Sequence, residues 1–355
     1  MKITLPIRER IVAFSMLGDT IRSSVNQLDG FSFDLLSGPI LEAVHNSSIS
    51  NKWFTTPMIR SALLGIASML KKPKLDKWLS RVELPVTFSD RKVMVVSAGN
   101  IPAVGFHDWL CVMMAGFRYV GKLSTDDQHL IPAMAKLLEV IEPKFKGRSE
   151  FTTGLVSNFD AVIATGSSNT NRYFDYYFSK WPRIVRSNRS GLAILNGTET
   201  RDELARLSDD VFLFYGLGCR NVSACLVPKH FDTGLLADAL AAGANELTNN
   251  HKWVNNYDYQ KAIMLVNNEP FVDNGSLLLR YAHSLVSPVA VLNLIPYENV
   301  DEALDFVTNH ATELQCTVSS KAWFNGSLDF GKAQLPGPGD YADGVDVMKF
   351  LTTLR

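Results

Sequence analysis

The segment Phe214-Tyr215-Gly216-Leu217-Gly218-Cys219-Arg220-Asn221 places a thiol directly after two glycines. A glycine-rich turn between a helix and a strand leaves such a sulfur accessible. Arg220 beside it favours the thiolate, the form that acts as a nucleophile. The competing reading is a buried structural cysteine, the commoner fate of a single Cys. Cys225 alternates within an apolar strand and Cys316 lies in Leu-Gln-Cys-Thr-Val, so both read as core. Cys111 follows His107 by four residues, one helical turn. Two ligands do not make a metal site, and His107 reads as a satisfied, partly buried histidine; no metal is expected.

Three further stretches carry binding chemistry: Ser97-Ala98-Gly99-Asn100-Ile101-Pro102, Gly121-Lys122-Leu123-Ser124-Thr125 and Thr165-Gly166-Ser167-Ser168. Each follows or closes a short apolar run, and in open parallel sheets ligands bind past the carboxyl ends of the strands. Together they offer a small-residue platform at Ala98 and Gly99, an oriented Lys122 and hydroxyls near a helix start. That set suits a nucleotide. Gly, Asn and Ser are also ordinary turn residues, and any one loop alone reads as no more than that. The linear Gly-x-Gly-x-x-Gly fingerprint is missing, since Gly216-Leu217-Gly218 runs into Cys219-Arg220-Asn221.

The elements that must position these residues alternate. Residues 1 to about 85 read as helical, with Ile59, Leu63, Ile66 and Leu70 marking one amphipathic helix from Trp53 to Trp78. The runs Val93–Val96, Tyr119–Lys122 and Ala161–Ala164 read as buried strands. Helices are expected after Asn100, from about Asp126 to Ile141, and over Tyr173 to Phe178. Beyond residue 190, Leu192–Leu195 reads as a strand, and Thr200-x-x-Glu203 is a capping box. The helix it opens shows Leu204, Leu207, Val211 and Phe214 on one face. Val222–Val227 and Val286–Ile295 read as strands. A helix is marked by Val300, Ala303, Leu304, Val307, Ala311 and Leu314, and the Gly/Pro-rich tail is a loop before a last short helix. Buried strands alternating with helices are the signature of an α/β fold with a parallel sheet.

Composition narrows the function class. The 355 residues carry 35 Lys and Arg against 36 Asp and Glu, and 46% are hydrophobic. Balanced charge removes the electrostatic term that drives binding to nucleic acid or anionic membranes, so neither is expected as a partner. No apolar stretch is long enough to span a bilayer, and Arg8, Glu9 and Arg10 stand where a secretion signal needs an apolar core. The expected compartment is the cytoplasm.

The passages 98–117, 164–178, 214–223 and 340–351, taken in order, resemble the LuxC-type acyl-CoA reductases (fatty-acid reductases) of the aldehyde dehydrogenase superfamily. The resemblance implies a helical N-terminal region and Rossmann-like cofactor domain over 1–190 and an α/β catalytic domain carrying the cysteine over 191–333. The segment 334–355 would return to the cofactor domain. It implies that Cys219 is the nucleophile forming a thioacyl intermediate. Asn100 would supply an oxyanion-hole amide together with the Cys219 N–H. Lys122 and Ser124 would contact the adenosine ribose, and Thr165, Gly166 and Ser167 would form the turn facing the pyrophosphate. Many NAD-linked members have a glutamate where this chain has Thr125, so the cofactor expected is NADPH. The superfamily's general-base glutamate has no counterpart in Arg186-Ser187-Asn188-Arg189-Ser190-Gly191, which favours reduction over hydrolysis to an acid. The substrate implied is an acyl-CoA or acyl-carrier thioester; a homodimer and an acyl-transferring protein partner are compatible with it. Aldehyde oxidation and a non-catalytic acyl-carrying subunit are the alternatives.

Overall fold

The computed structural model describes residues 3–28, 35–166, 168–244 and 246–354. The chain divides into two compact units, one of residues 1–188 with 335–355 and one of 189–334. In the first, helices α1 (Ile7–Leu28), α2 (Gly38–Ser50), α3 (Thr56–Met69) and α4 (Lys72–Leu79) precede the first strand. The single helix expected over Trp53–Trp78 is therefore two. Pro73 has no N–H to give to a helix interior, and it sits instead in the first turn of α4.

Then follow β1 (Lys92–Val96), α5 (Phe106–Ala115), β2 (Arg118–Lys122), α6 (Leu130–Ile141), β3 (Ser149–Thr152), β4 (Ala161–Thr165), α7 (Ser168–Tyr177) and β5 (Arg183–Arg186). The five strands are all parallel in the order β3-β2-β1-β4-β5. Both faces are covered, which is why the central strands are continuous apolar runs rather than alternating ones. Val93 and Val95 of β1 join the core that α1–α6 build. Met94 and Val96 join a smaller one with Phe159, Phe174, Phe178 and Trp181. Arg10 is fully buried beneath this helical layer, yet its guanidinium is satisfied. It donates to the carbonyls of Leu5 (2.9 Å), Met114 (2.7 Å) and Pro85 (2.7 Å), pinning α1 to the end of α5.

The second unit contains β6 (Ser190–Ile194), α8 (Arg201–Phe212), β7 (Val222–Pro228), α9 (Thr233–Ala244), α10 (His251–Val266), β8 (Val272–Asp273), β9 (Leu278–Tyr281), β10 (Val291–Tyr297), α11 (Val300–Asn309) and β11 (Leu314–Val318). Its sheet runs β11-β6-β7-β10-β9-β8, parallel except for the β8–β9 pair. The capping box at Thr200 and Glu203 forms as expected. Three elements depart from the sequence reading by more than two residues or change type at a boundary. The α8 helix stops at Phe212, because Phe214 and Tyr215 take left-handed backbone angles. Strand β10 starts only at Val291: Pro288 lacks an N–H, Ala290 has φ +63°, and Asn293 ties the Ser284 and Val286 carbonyls into a loop. Leu314 belongs to β11, paired with Ser190, and not to α11. The chain ends in α12 (Val347–Thr353), whose Val347, Met348 and Leu351 lie in the core of the first unit. No helix among the described residues is long and apolar enough to cross a membrane.

Candidate active site

In the first unit the strand order reverses on either side of β1, and the crevice at such a switch point is where parallel sheets bind ligands. The β1–β4 register ends at Val96 and Ala164, so Thr165 stands level with Ser97 at this edge. Ala98, Gly99 and Asn100 follow. Asn100 is exposed and lies six residues before α5, not at its start as the sequence suggested. Gly99 is required by a close approach: a Cβ there would lie 2.4 Å from the Ser124 hydroxyl and 2.7 Å from its Cβ. The loops after β1 and β2 therefore touch at Gly99 and Ser124, and the Ser97 N–H donates to the Lys122 carbonyl (3.2 Å). Lys122 ends β2 with its ammonium on the Thr153 carbonyl. Thr125 is exposed in a turn and caps nothing, because α6 begins at Leu130 and not near Asp126. Thr165 closes β4, and the Gly166 N–H donates to the Arg186 carbonyl (3.3 Å). Ser167 lies outside the described residues.

Two buried carboxylates that sequence reasoning missed hold these loops. Asp108 takes both terminal nitrogens of Arg186 (2.6 and 2.9 Å), fixing the β5 end on which Gly166 rests. Asp127 accepts from the Val104 N–H (3.2 Å), beside Ala103 at φ +55°, and so ties the Asn100 loop to the Ser124 loop. Burial pushes the Asp127 carboxyl up to about 7, against the pull of the Ala103 and Val104 N–H groups. Asp127 belongs to no motif, and nothing singles out Asp108 within the passage 98–117; both are set by long-range contacts.

The Asp127 shift has a measurable consequence. An unfolded-chain aspartate titrates near 3.8, so between about pH 4 and 7 the folded protein holds a proton that the unfolded chain has lost. The stability this proton carries is complete below pH 4 and is lost as pH rises through 7, about 4 kcal/mol in all. Asp127→Asn keeps an acceptor and removes the titration. Unfolding free energies in urea, taken as wild type minus variant, should fall by a few kcal/mol from pH 4 to 8. A flat difference excludes the shift.

In the second unit Cys219 is exposed, as its glycines suggested. It follows three consecutive left-handed residues, Phe214 (φ 55°), Tyr215 (φ 56°) and Gly216 (φ 69°), of which the two aromatics are buried. The Asn221 N–H donates to the Gly218 carbonyl (3.0 Å), so Cys219 and Arg220 are the middle residues of a closed turn before β7. Gly191 of β6 lets that turn approach: a Cβ would lie 2.7 Å from the Arg220 carbonyl oxygen and 2.8 Å from that of Asn221. Arg220 donates to the Ala333 carbonyl, and its positive charge acts on Cys316. Fully buried Asp210 accepts from the N–H groups of Gly331 (2.6 Å) and Ala333 (2.8 Å), and burial raises its carboxyl to about 6. Cys225 is buried; Cys316 is only half-buried, which corrects its reading as core. His107 is half-buried on the Pro338 carbonyl (2.9 Å), the satisfied histidine expected, with Cys111 3.9 Å from its ring.

No family model and no curated protein matches this sequence. Solved structures do. KauB, an aldehyde dehydrogenase from Pseudomonas aeruginosa, superposes with a TM-score of 0.64 at 13% identity, over 93% of this chain and 75% of its own. The fold is that of the aldehyde dehydrogenases. Gamma-glutamyl-gamma-aminobutyraldehyde dehydrogenase from Burkholderia cenocepacia J2315 gives 0.62 at 14% identity, covering 93% of this chain and 75% of that one. A Mycobacterium tuberculosis aldehyde dehydrogenase complexed with NAD+ gives 0.59 at 14% identity, covering 86% and 73%. Likeness at this identity concerns the aldehyde-dehydrogenase-like architecture: one parallel Rossmann-like sheet and one mixed sheet.

Proposed function

We propose that the chain reduces an acyl-CoA, or an acyl group on a carrier protein, to an aldehyde with NADPH as the reductant. The observation that carries this reading is Cys219, an exposed thiol on a turn held by buried polar groups, in a fold shared with aldehyde dehydrogenases.

The strand ends of the first unit fit a dinucleotide. The absence of a side chain at Gly99 lets the Ser124 hydroxyl close onto it, bringing the ends of β1 and β2 together. Lys122, Ser124 and Thr125 would hold the adenosine end, Ala98 and Gly99 the platform, and Thr165, Gly166 and Ser167 the pyrophosphate. A bound nicotinamide cofactor supplies hydride. The Mycobacterium tuberculosis neighbour is complexed with NAD+, but an uncharged Thr125 supports NADPH here, since it spares a 2′-phosphate the like charge of a carboxylate.

The Cys219 thiolate attacks the thioester carbonyl carbon, forming a C–S bond while the carbonyl electron pair moves to oxygen. Donation to that oxyanion is the role proposed for Asn100 and for the Cys219 N–H, at about 3 kcal/mol per donor. Collapse expels CoA as a thiolate, a leaving group stable near neutral pH. Once the thioacyl carbon is reduced, its C–S bond breaks, Cys219 departs as thiolate and the aldehyde is released. Arg186–Gly191 offers no carboxylate to activate water, which supports discharge by reduction over hydrolysis.

The test is NADPH oxidation by the purified chain with acyl-CoAs of increasing length, with NADH in parallel and the aldehyde identified. Turnover with acyl-CoA, faster with NADPH, is expected, and Thr125→Glu should raise KM for NADPH far more than for NADH. No turnover with any acyl-CoA removes the CoA donor, and none with an acylated carrier protein either overturns the reductase reading. A wild-type preference for NADH removes the NADPH assignment.

A further inference from the structure

We infer that Asn221 is a positioning residue for Cys219; the inference rests on the reading of Cys219 as nucleophile. Its side chain is 2% exposed and uses both ends of its carboxamide. The oxygen accepts from the Gly218 N–H (2.8 Å), and the nitrogen donates to the carbonyls of Leu213 (2.8 Å), Asp210 (3.1 Å) and Val211 (3.4 Å). The last turn of α8 leaves carbonyls that the helix cannot satisfy, and Asn221 supplies their donor.

The same side chain closes the turn. Gly218 gives its N–H to the Asn221 side chain, while its carbonyl accepts from the Asn221 backbone. Cys219 and Arg220 are thus bracketed by two hydrogen bonds between residues 218 and 221. The three left-handed residues at 214–216 put the chain in a conformation costly for Phe and Tyr, and it persists only where surrounding contacts over-determine it. Asn221 bridges both sides of that reversal, holding Leu213 before it and Gly218 after it. On the far side, Arg220 is held by Ala333, whose N–H rests on Asp210. The turn that carries Cys219 is therefore fixed from α8 on both sides, by the Asn221 carboxamide and by Asp210 through Ala333.

An aspartate of the same shape would still accept from Gly218 but would set a carboxylate against three carbonyls. Misplacing a reacting atom by about 1 Å costs on the order of 10²-fold in rate with little change in substrate affinity. A group that merely caps α8 would alter stability and leave the kinetics of the folded variant alone.

The experiment uses the full chain as wild type, Asn221→Asp and Asn221→Ser, the serine variant covering failure of the first to fold. Acyl transfer to Cys219 from acyl-CoA without cofactor is timed by intact mass, and Cys219 alkylation by iodoacetamide is timed separately. Folded variants should acylate at least tenfold more slowly at saturating acyl-CoA, with half-saturation within twofold of wild type and alkylation altered at least threefold. Variants that acylate and alkylate at wild-type rates overturn the inference. Wild type that takes no acyl group overturns instead the nucleophile reading, and the alkylation ratio still decides the positioning one.

Discussion

Cys219→Ala is expected to abolish acyl transfer and to lower kcat for acyl-CoA reduction by at least about 10⁵-fold, the scale on which removal of a covalent nucleophile acts. The size of the effect follows from the state of the other thiols. Cys111 and Cys225 are buried, and desolvation holds both well above the ordinary thiol range. Cys316 is half-buried, and burial pushes it up to about 11 against the opposing charge of Arg220. A thiol titrating there is ionised to only about one part in 10⁴ at pH 7, too little to replace an exposed nucleophile. Intact mass after incubation with acyl-CoA should show one acyl group on wild type and on Cys316→Ala, and none on Cys219→Ala. An acyl adduct on the Cys219→Ala variant would move the chemistry to another side chain.

The parts of this fold legible in the sequence were those whose physics is local. Strands β1 and β4 are covered on both faces, so Val93–Val96 and Ala161–Ala164 stand out as apolar runs. The α8 start was legible because a capping box needs only residues 200 and 203. Strands β3 (Ser-Glu-Phe-Thr) and β5 (Arg-Ile-Val-Arg) give no sequence signal because each is four residues long, at a sheet edge, and partly polar. Leu314 reads as part of α11 because it continues the three-residue spacing from Ala311, although its partner is Ser190, more than a hundred positions away. At the site, glycines flagged the Cys219 turn, but what holds it was invisible. Asn221 looks like an ordinary turn residue until its contacts with residues 210–213 are known, and Asp127 stands out only by its burial and its bond to the Val104 N–H. Sequence spacing reports periodicity within an element; it carries no record of which loops a sheet brings together.

Asn100→Ala should lower kcat by about 10²- to 10³-fold, or roughly 3 kcal/mol, with KM for acyl-CoA little changed, because an oxyanion donor acts when charge develops on the carbonyl oxygen. The side chain is well placed for a replacement that leaves the fold intact. It is exposed in the loop between β1 and α5, and exchange of an exposed side chain away from caps and cores usually changes stability by less than about 0.5 kcal/mol. The loop conformation is fixed elsewhere, by the Phe106 N–H on the Ala103 carbonyl (2.9 Å) and by Asp127 on the Val104 N–H. Loss of rate without loss of thermal stability is then loss of the carboxamide and not of the loop. Asn100→Asp sharpens the test: it keeps the shape and removes both N–H donors, so on the proposed oxyanion role it should be at least as slow. Single-turnover acylation of Cys219, run beside thermal unfolding of each variant, measures both quantities. A folded Asn100→Ala protein that acylates at the wild-type rate would remove Asn100 from the mechanism and leave oxyanion stabilisation to backbone N–H groups.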